Sequence, residues 1–147
     1  MADITVGFDR VVLDTSSCIY YLEGPPNPRR DRLMPLFAAA ERGTMIIVLP
    51  TIVVVELLTG PLRAGDREAE ASARLFVSHT PGAEVHDLTF AVACKAAELR
   101  AKYQLRTPDA VILATAVVGA DGVIGNDAAW RRVTETRFLY LDEHQTM

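Results

Sequence analysis

The sequence predicts an α/β domain with a mainly parallel sheet and helices on both faces. Two observations predict it. Short apolar runs end abruptly at Asp, Pro or Gly, as buried strands do. Stretches with helical spacing separate them, and that alternation is the signature of parallel α/β architecture. Right-handed crossovers then distribute the helices over both faces.

The elements follow in order. Val11-Val12-Leu13 is a strand ending at Asp14, and Ser16 to Leu22 is a helix stopped by Gly24-Pro25-Pro26-Asn27-Pro28. Met34 to Arg42 reads as a helix with Pro35 in its first turn and Gly43 at its end. Met45 to Leu49 is a strand closed by Pro50, and Thr51 to Thr59 a helix closed by Gly60-Pro61. Arg63 to Val77 is a polar helix and Ala83 to His86 a short strand. Thr89 to Tyr103 is helical, with Phe90, Ala93, Cys94, Ala97 and Ala101 on its apolar side. Thr107 caps the next helix and Pro108 opens it. Ala110 to Val118 is apolar nearly all round, so it should be buried on several sides. Gly122 to Ile124 is a strand, Ala128 to Val133 a short helix and Phe138 to Leu141 the last strand.

At 147 residues, half of them hydrophobic, the chain is expected to fold as a single domain over 1–147. Its formal net charge of −4 excludes a protein that coats nucleic acid by bulk positive charge. Cys18 and Cys94 form no CxxC pair and are expected to be small apolar residues in a reducing compartment. His79, His86 and His144 show no zinc-ligand spacing. No signal peptide is visible, and the longest apolar run, Ala110 to Ala120, is too short to span a bilayer. A soluble, cytoplasmic protein is expected, with no membrane partner.

Four acids stand where apolar residues are expected. Asp14 ends the first strand, Glu56 interrupts Ile52 to Leu58, Asp109 opens the most apolar helix, and Asp127 follows Val123-Ile124. Burying an unpaired carboxylate is costly, so several together are stable when a positive charge sits among them. Strand C-termini and helix N-termini share one edge of a parallel α/β sheet, where ligands bind at the switch in strand order. Carboxylates without His or Cys suit a hard cation, Mg²⁺ or Mn²⁺, which can bind phosphate oxygens and an attacking water. Arg106 and Arg131 flank these acids in sequence and are candidate phosphate contacts.

Asp14-Thr15-Ser16 after an apolar strand, Glu56 in an apolar helix, Pro108-Asp109-Ala110 and Asn126-Asp127 before Trp130 together resemble PIN domains. The likeness is to the small VapC-type toxin ribonucleases. The resemblance implies a three-layer α/β/α sandwich, often homodimeric, with Mg²⁺- or Mn²⁺-dependent endoribonuclease activity leaving 5′-phosphate and 3′-hydroxyl ends. It implies inhibition by a cognate antitoxin, and Asp14, Glu56, Asp109 and Asp127 as metal ligands. Gly125 departs from the Thr or Ser common in the family, so Ser16 and Asn126 are candidates for the missing polar contact. On this reading, Gly125→Thr should hold or raise activity. Asp14→Asn and Asp109→Asn should abolish cleavage and leave metal-free stability unchanged or slightly raised.

Each acid also has a simpler reading. Asp14 and Asp127 could cap helices, Asp109 could sit in a first turn for its dipole, and Glu56 could pair with an arginine. A PIN-like domain that binds RNA or protein without cutting is the nearest alternative. A haloacid-dehalogenase-type phosphatase would need an acid at Ser16, and a receiver domain a preceding acidic pair and a late Lys; neither pattern is present.

Overall fold

The computed structural model describes residues 4, 5 and 7–143; His144 lies outside them. Five parallel strands form one sheet: β1 (Arg10–Leu13), β2 (Ile46–Pro50), β3 (Ala83–His86), β4 (Gly122–Gly125) and β5 (Arg137–Tyr140), in the order β3-β2-β1-β4-β5. Six helices connect them: α1 (Thr15–Glu23), α2 (Pro28–Glu41), α3 (Thr51–Ala64), α4 (Arg67–His79), α5 (Phe90–Tyr103) and α6 (Thr107–Gly119). A 3₁₀ turn spans Ala128–Arg132. Right-handed crossovers put α1 to α4 on one face and α5 and α6 on the other, a three-layer α/β/α sandwich. The chain leaves β1 toward β2 and returns across the sheet to β4. The switch in strand order therefore falls between β1 and β4, and Asp14 leaves the sheet there.

Val11, Val12, Leu13, Ile47, Val48, Leu49, Val123 and Ile124 form the centre of the core. Residues Ala110 to Ala116 of α6 are all buried, as its all-round apolar sequence predicts. Asp14, Ser17 and Thr115 are the buried polar residues among those described, and Thr115 returns its hydroxyl to the Val111 carbonyl at 2.7 Å.

Several boundaries differ from expectation. The second helix begins at Pro28, six residues before Met34, because Asn27 Oδ1 accepts from the amides of Arg29 and Arg30 and caps it. Pro35 is therefore interior, on the exposed side, where water can reach the carbonyl it leaves unpaired. Gly60-Pro61 does not end α3, which runs on to Ala64 and stops at Gly65 in the left-handed conformation (φ 65°). The polar helix begins at Arg67, because the Asp66 carboxylate accepts from the Ala69 amide. Thr107 is the first residue of α6, and Arg106 holds the cap position with no side-chain bond.

The buried side of α5 is also not the one expected. Val92, Ala96, Leu99 and Tyr103 face the core. Phe90, Ala93, Cys94, Ala97 and Ala101 face out, with Phe90 85% exposed. Both stripes have helical spacing, and only the packing of α5 on α6 chooses between them. Cys94 is thus exposed, whereas Cys18 is buried as expected.

Candidate metal centre

Asp14 is the anchor of the site. It is only 5% exposed, and its amide donates to Ile124 of β4. Oδ1 accepts from the Ser17 amide at 2.8 Å, which caps α1, and Oδ2 accepts from the Asn126 amide at 3.0 Å. Burial pushes this carboxyl above its ordinary value. The Ser17 and Asn126 contacts partly offset that, and the Asp109 charge adds to it. The Ser17 bond is the cap expected of the simpler reading, and the Asn126 bond fixes the second oxygen as well.

Glu56 enters from α3 and is half-buried. Its Oε1 accepts from the Thr15 hydroxyl at 2.6 Å, which ties α3 to the first turn of α1. Asp109 stands in the first turn of α6 with its side chain 15% exposed, and its Oδ2 accepts from Arg106 Nε at 3.0 Å. Arg106 is otherwise in solvent (78% exposed). The Asp109 hydrogen bond and charge strengthen its hold on its proton first, and Glu56 and Asp127 add to the effect. Asp127 is exposed and accepts from the Ala129 amide, capping the 3₁₀ turn. Among the four acids, Arg106 bonds Asp109, whereas Glu56 and Asp127 act on it through charge alone, as Asp109 acts on Asp14.

Other expected residues fall differently. Ser16 is exposed, and its neighbours Thr15 and Ser17 make the bonds to Glu56 and Asp14. Asn126 does contact Asp14, through its backbone. Arg131 lies over the Tyr140 ring (4.7 Å) and pairs with Glu143, in a cleft shared with Asn27, Arg29 and Asp142. Asp142 was missed by sequence reasoning. The rule that found Asp14 and Asp127, an acid just beyond a strand, would have found it after β5.

Gly125 has a steric reason. A Cβ there would lie 2.8 Å from Asp14 Oδ2 and 2.9 Å from the Trp130 ring. Asp14 and Trp130 occupy the space a Thr or Ser side chain needs, so Gly125→Thr would have to displace one of them. Its φ is not left-handed, so the requirement is for room rather than backbone freedom.

The donor set is all oxygen, as a hard divalent ion prefers. Among the described residues no three His, Cys, Asp or Glu side chains form a ready-made cage. Mg²⁺ does not need one, since it takes one or two carboxylates and retains water. In donor chemistry these side chains fit such an ion.

The PIN domain family model matches residues 11–136. The chain belongs to the PIN domain family. A search of curated proteins finds no significant match. Among solved structures, this PIN domain is similar to VapBC2 from Rickettsia felis bound to a promoter DNA fragment, with TM-score 0.74, 18% identity, and 89% of this chain and 98% of that chain covered. It is similar to a toxin–antitoxin complex from Klebsiella pneumoniae, with TM-score 0.69, 21% identity and coverage of 91% and 99%. It is also similar to VapBC-5 from Mycobacterium tuberculosis, with TM-score 0.61, 20% identity and coverage of 90% and 98%. At these identities the likeness is one of fold.

Proposed function

We propose that this PIN domain is a Mg²⁺- or Mn²⁺-dependent endoribonuclease, the toxin of a type II toxin–antitoxin pair acting in the cytoplasm. The observation that carries the reading is the buried Asp14 carboxylate at the β1–β4 switch, held by the Ser17 and Asn126 amides and within the field of Asp109. Asp14 and Asp109 would hold the ion directly, within the one or two carboxylates Mg²⁺ takes, and Glu56 and Asp127 would act around it. When bound, such an ion supplies Lewis acidity toward a phosphodiester and a nucleophile at neutral pH. Asp14 is held in one orientation by the Ser17 and Asn126 amides. Arg106, bonded to Asp109 and otherwise in solvent, would offer its remaining guanidinium N–H groups to a phosphate beside the acids. Arg131, engaged with Tyr140 and Glu143, is a weaker phosphate contact. Thr15 holds Glu56 in place.

Two surfaces support the partners. A groove of about 520 Å³ opens beside Glu56 between α1, α3 and α4. It is lined by Leu22, Leu57 and Pro61 together with Glu23, Asp66 and Glu68. An apolar floor with an acidic rim suits a basic antitoxin segment, and the similar solved structures are toxin–antitoxin complexes. The outward apolar stripe of α5 around Phe90 suits a second copy of the chain in a homodimer.

The deciding experiment incubates total RNA with Mg²⁺ or Mn²⁺ and maps the ends. Wild type should produce 5′-phosphate and 3′-hydroxyl ends, chelator should stop cleavage, and Asp109→Asn should lose at least a hundredfold in rate. RNA retention without new ends would replace the nuclease reading with that of a binding module.

A further inference from the structure

We propose that Arg29 and Asp142, 113 residues apart, form a clamp that positions Asp14 through Asn126. The inference rests on the metal-nuclease reading for its functional consequence, and its geometry stands independently. Asp14 Oδ2 is held by the Asn126 amide, so the aim of this oxygen follows the placement of the turn after β4. The Asn126 side chain straps that turn down: Nδ2 donates to Tyr20 Oη of α1 at 3.1 Å and to Asp142 Oδ2 at 3.0 Å. An ionised carboxylate only accepts, so Asp142 dictates that the nitrogen of Asn126 faces it.

Asp142 is itself gripped. Arg29 Nε and one terminal nitrogen each reach a different carboxylate oxygen at 2.7 Å, a two-bond fork. The guanidinium lies 4.7 Å from the centre of the Tyr20 ring, whose hydroxyl also meets Asn126. Asn27 completes the arrangement by capping α2 at the Arg29 amide and donating to the Tyr20 carbonyl at 3.2 Å. The chain beyond β5, the start of α2 and the body of α1 therefore converge on one asparagine, whose amide aims the buried acid. None of Arg29, Tyr20 and Asp142 contacts Asp14 directly among the described bonds, so they are positioning residues.

The test uses the full chain and two readouts. The first is hydrogen exchange of the Asn126 and Ser17 amides by NMR without metal. Asp142→Asn and Arg29→Gln should each speed exchange at Asn126 at least fivefold and leave Ser17 within twofold. The second is Mn²⁺ affinity by titration calorimetry. Each variant should bind about tenfold more weakly, as partners behind metal ligands commonly do, and the double variant should be no weaker than either single. Arg29→Lys, which keeps charge and loses the fork, should fall between. Glu135→Gln is the control. It breaks a comparable cluster with Tyr103 and Lys102, and should lower the unfolding midpoint while leaving Mn²⁺ affinity unchanged. Unaltered Asn126 exchange in both variants, or Mn²⁺ binding by Asp142→Asn within twofold of wild type, overturns the clamp. If wild type binds no Mn²⁺, the metal reading falls, and the exchange data still decide whether the clamp exists.

Discussion

Asp14 combines two demands on one carboxylate. Burial disfavours its charge, and two backbone amides require both oxygens to accept. A carboxyl raised above its ordinary value contributes stability at low pH that is lost as pH rises through the raised value. Replacing it by Asn relieves the buried charge but turns an NH₂ group toward one amide. Asp14→Asn should therefore cost about 1 kcal/mol in chelator at pH 7, because an unsatisfied buried donor outweighs the relief. Asp109→Asn, which loses an ion pair to a solvent-exposed arginine, should stay within about 0.5 kcal/mol. Urea denaturation of the two variants checks both values and decides whether the two changes are equally neutral. Gly125 is the second residue whose role depends on its neighbours. Gly125→Thr should destabilise by about 2 kcal/mol, the usual cost of overpacking, and weaken Mn²⁺ binding. Gly125→Thr with Trp130→Phe should recover part of both losses, since the smaller ring frees space. A neutral Gly125→Thr in thermal unfolding would show that Asp14 can move aside.

At the scale of elements, the sheet and helix order was legible because each signal is local. Thr89 caps α5 and Asn27 caps α2 within three residues of the amides they serve. Two of the helix ends that differ from expectation share a cause: proline signals a helix start or stop in sequence, whereas Pro35 and Pro61 lie inside helices that tertiary contacts support. The Arg29–Asp142 fork joins the segment after β5 to α2, and it holds the Asp142 carboxyl down at about 2. A depressed carboxyl contributes stability that is present above its ordinary value near 4 and lost as pH falls toward 2. Wild type should exceed Asp142→Asn by about 1 kcal/mol at pH 6, after allowance for solvent screening. The gap should close between pH 4 and about 2 in urea titrations. A gap that persists at the lowest pH would mean the pair is not what ties these elements together.

For the whole molecule, the outward stripe of α5 is the feature with the widest consequence. Phe90 stands almost fully in solvent at the head of a run of small residues, and a second copy would remove it from water. Phe90→Glu should convert a dimer to a monomer in light scattering while leaving the unfolding midpoint within a few degrees, because the ring adds nothing to the core of its own chain. Wild type that is monomeric at high concentration would refute the dimer. The described residues contain no helix long and apolar enough to cross a membrane.

The sequence by itself determined the alternation of strands and helices, the burial of α6 and the placing of Asp14 at a strand end, because periodicity, caps and breakers act over a few residues. The tertiary structure alone decided which stripe of α5 is buried, why position 125 has no room for a side chain, and that Asp142 meets Asn126. Those facts depend on distances between residues that are in part more than a hundred positions apart, and such distances arise only when the sheet and its two helical layers pack.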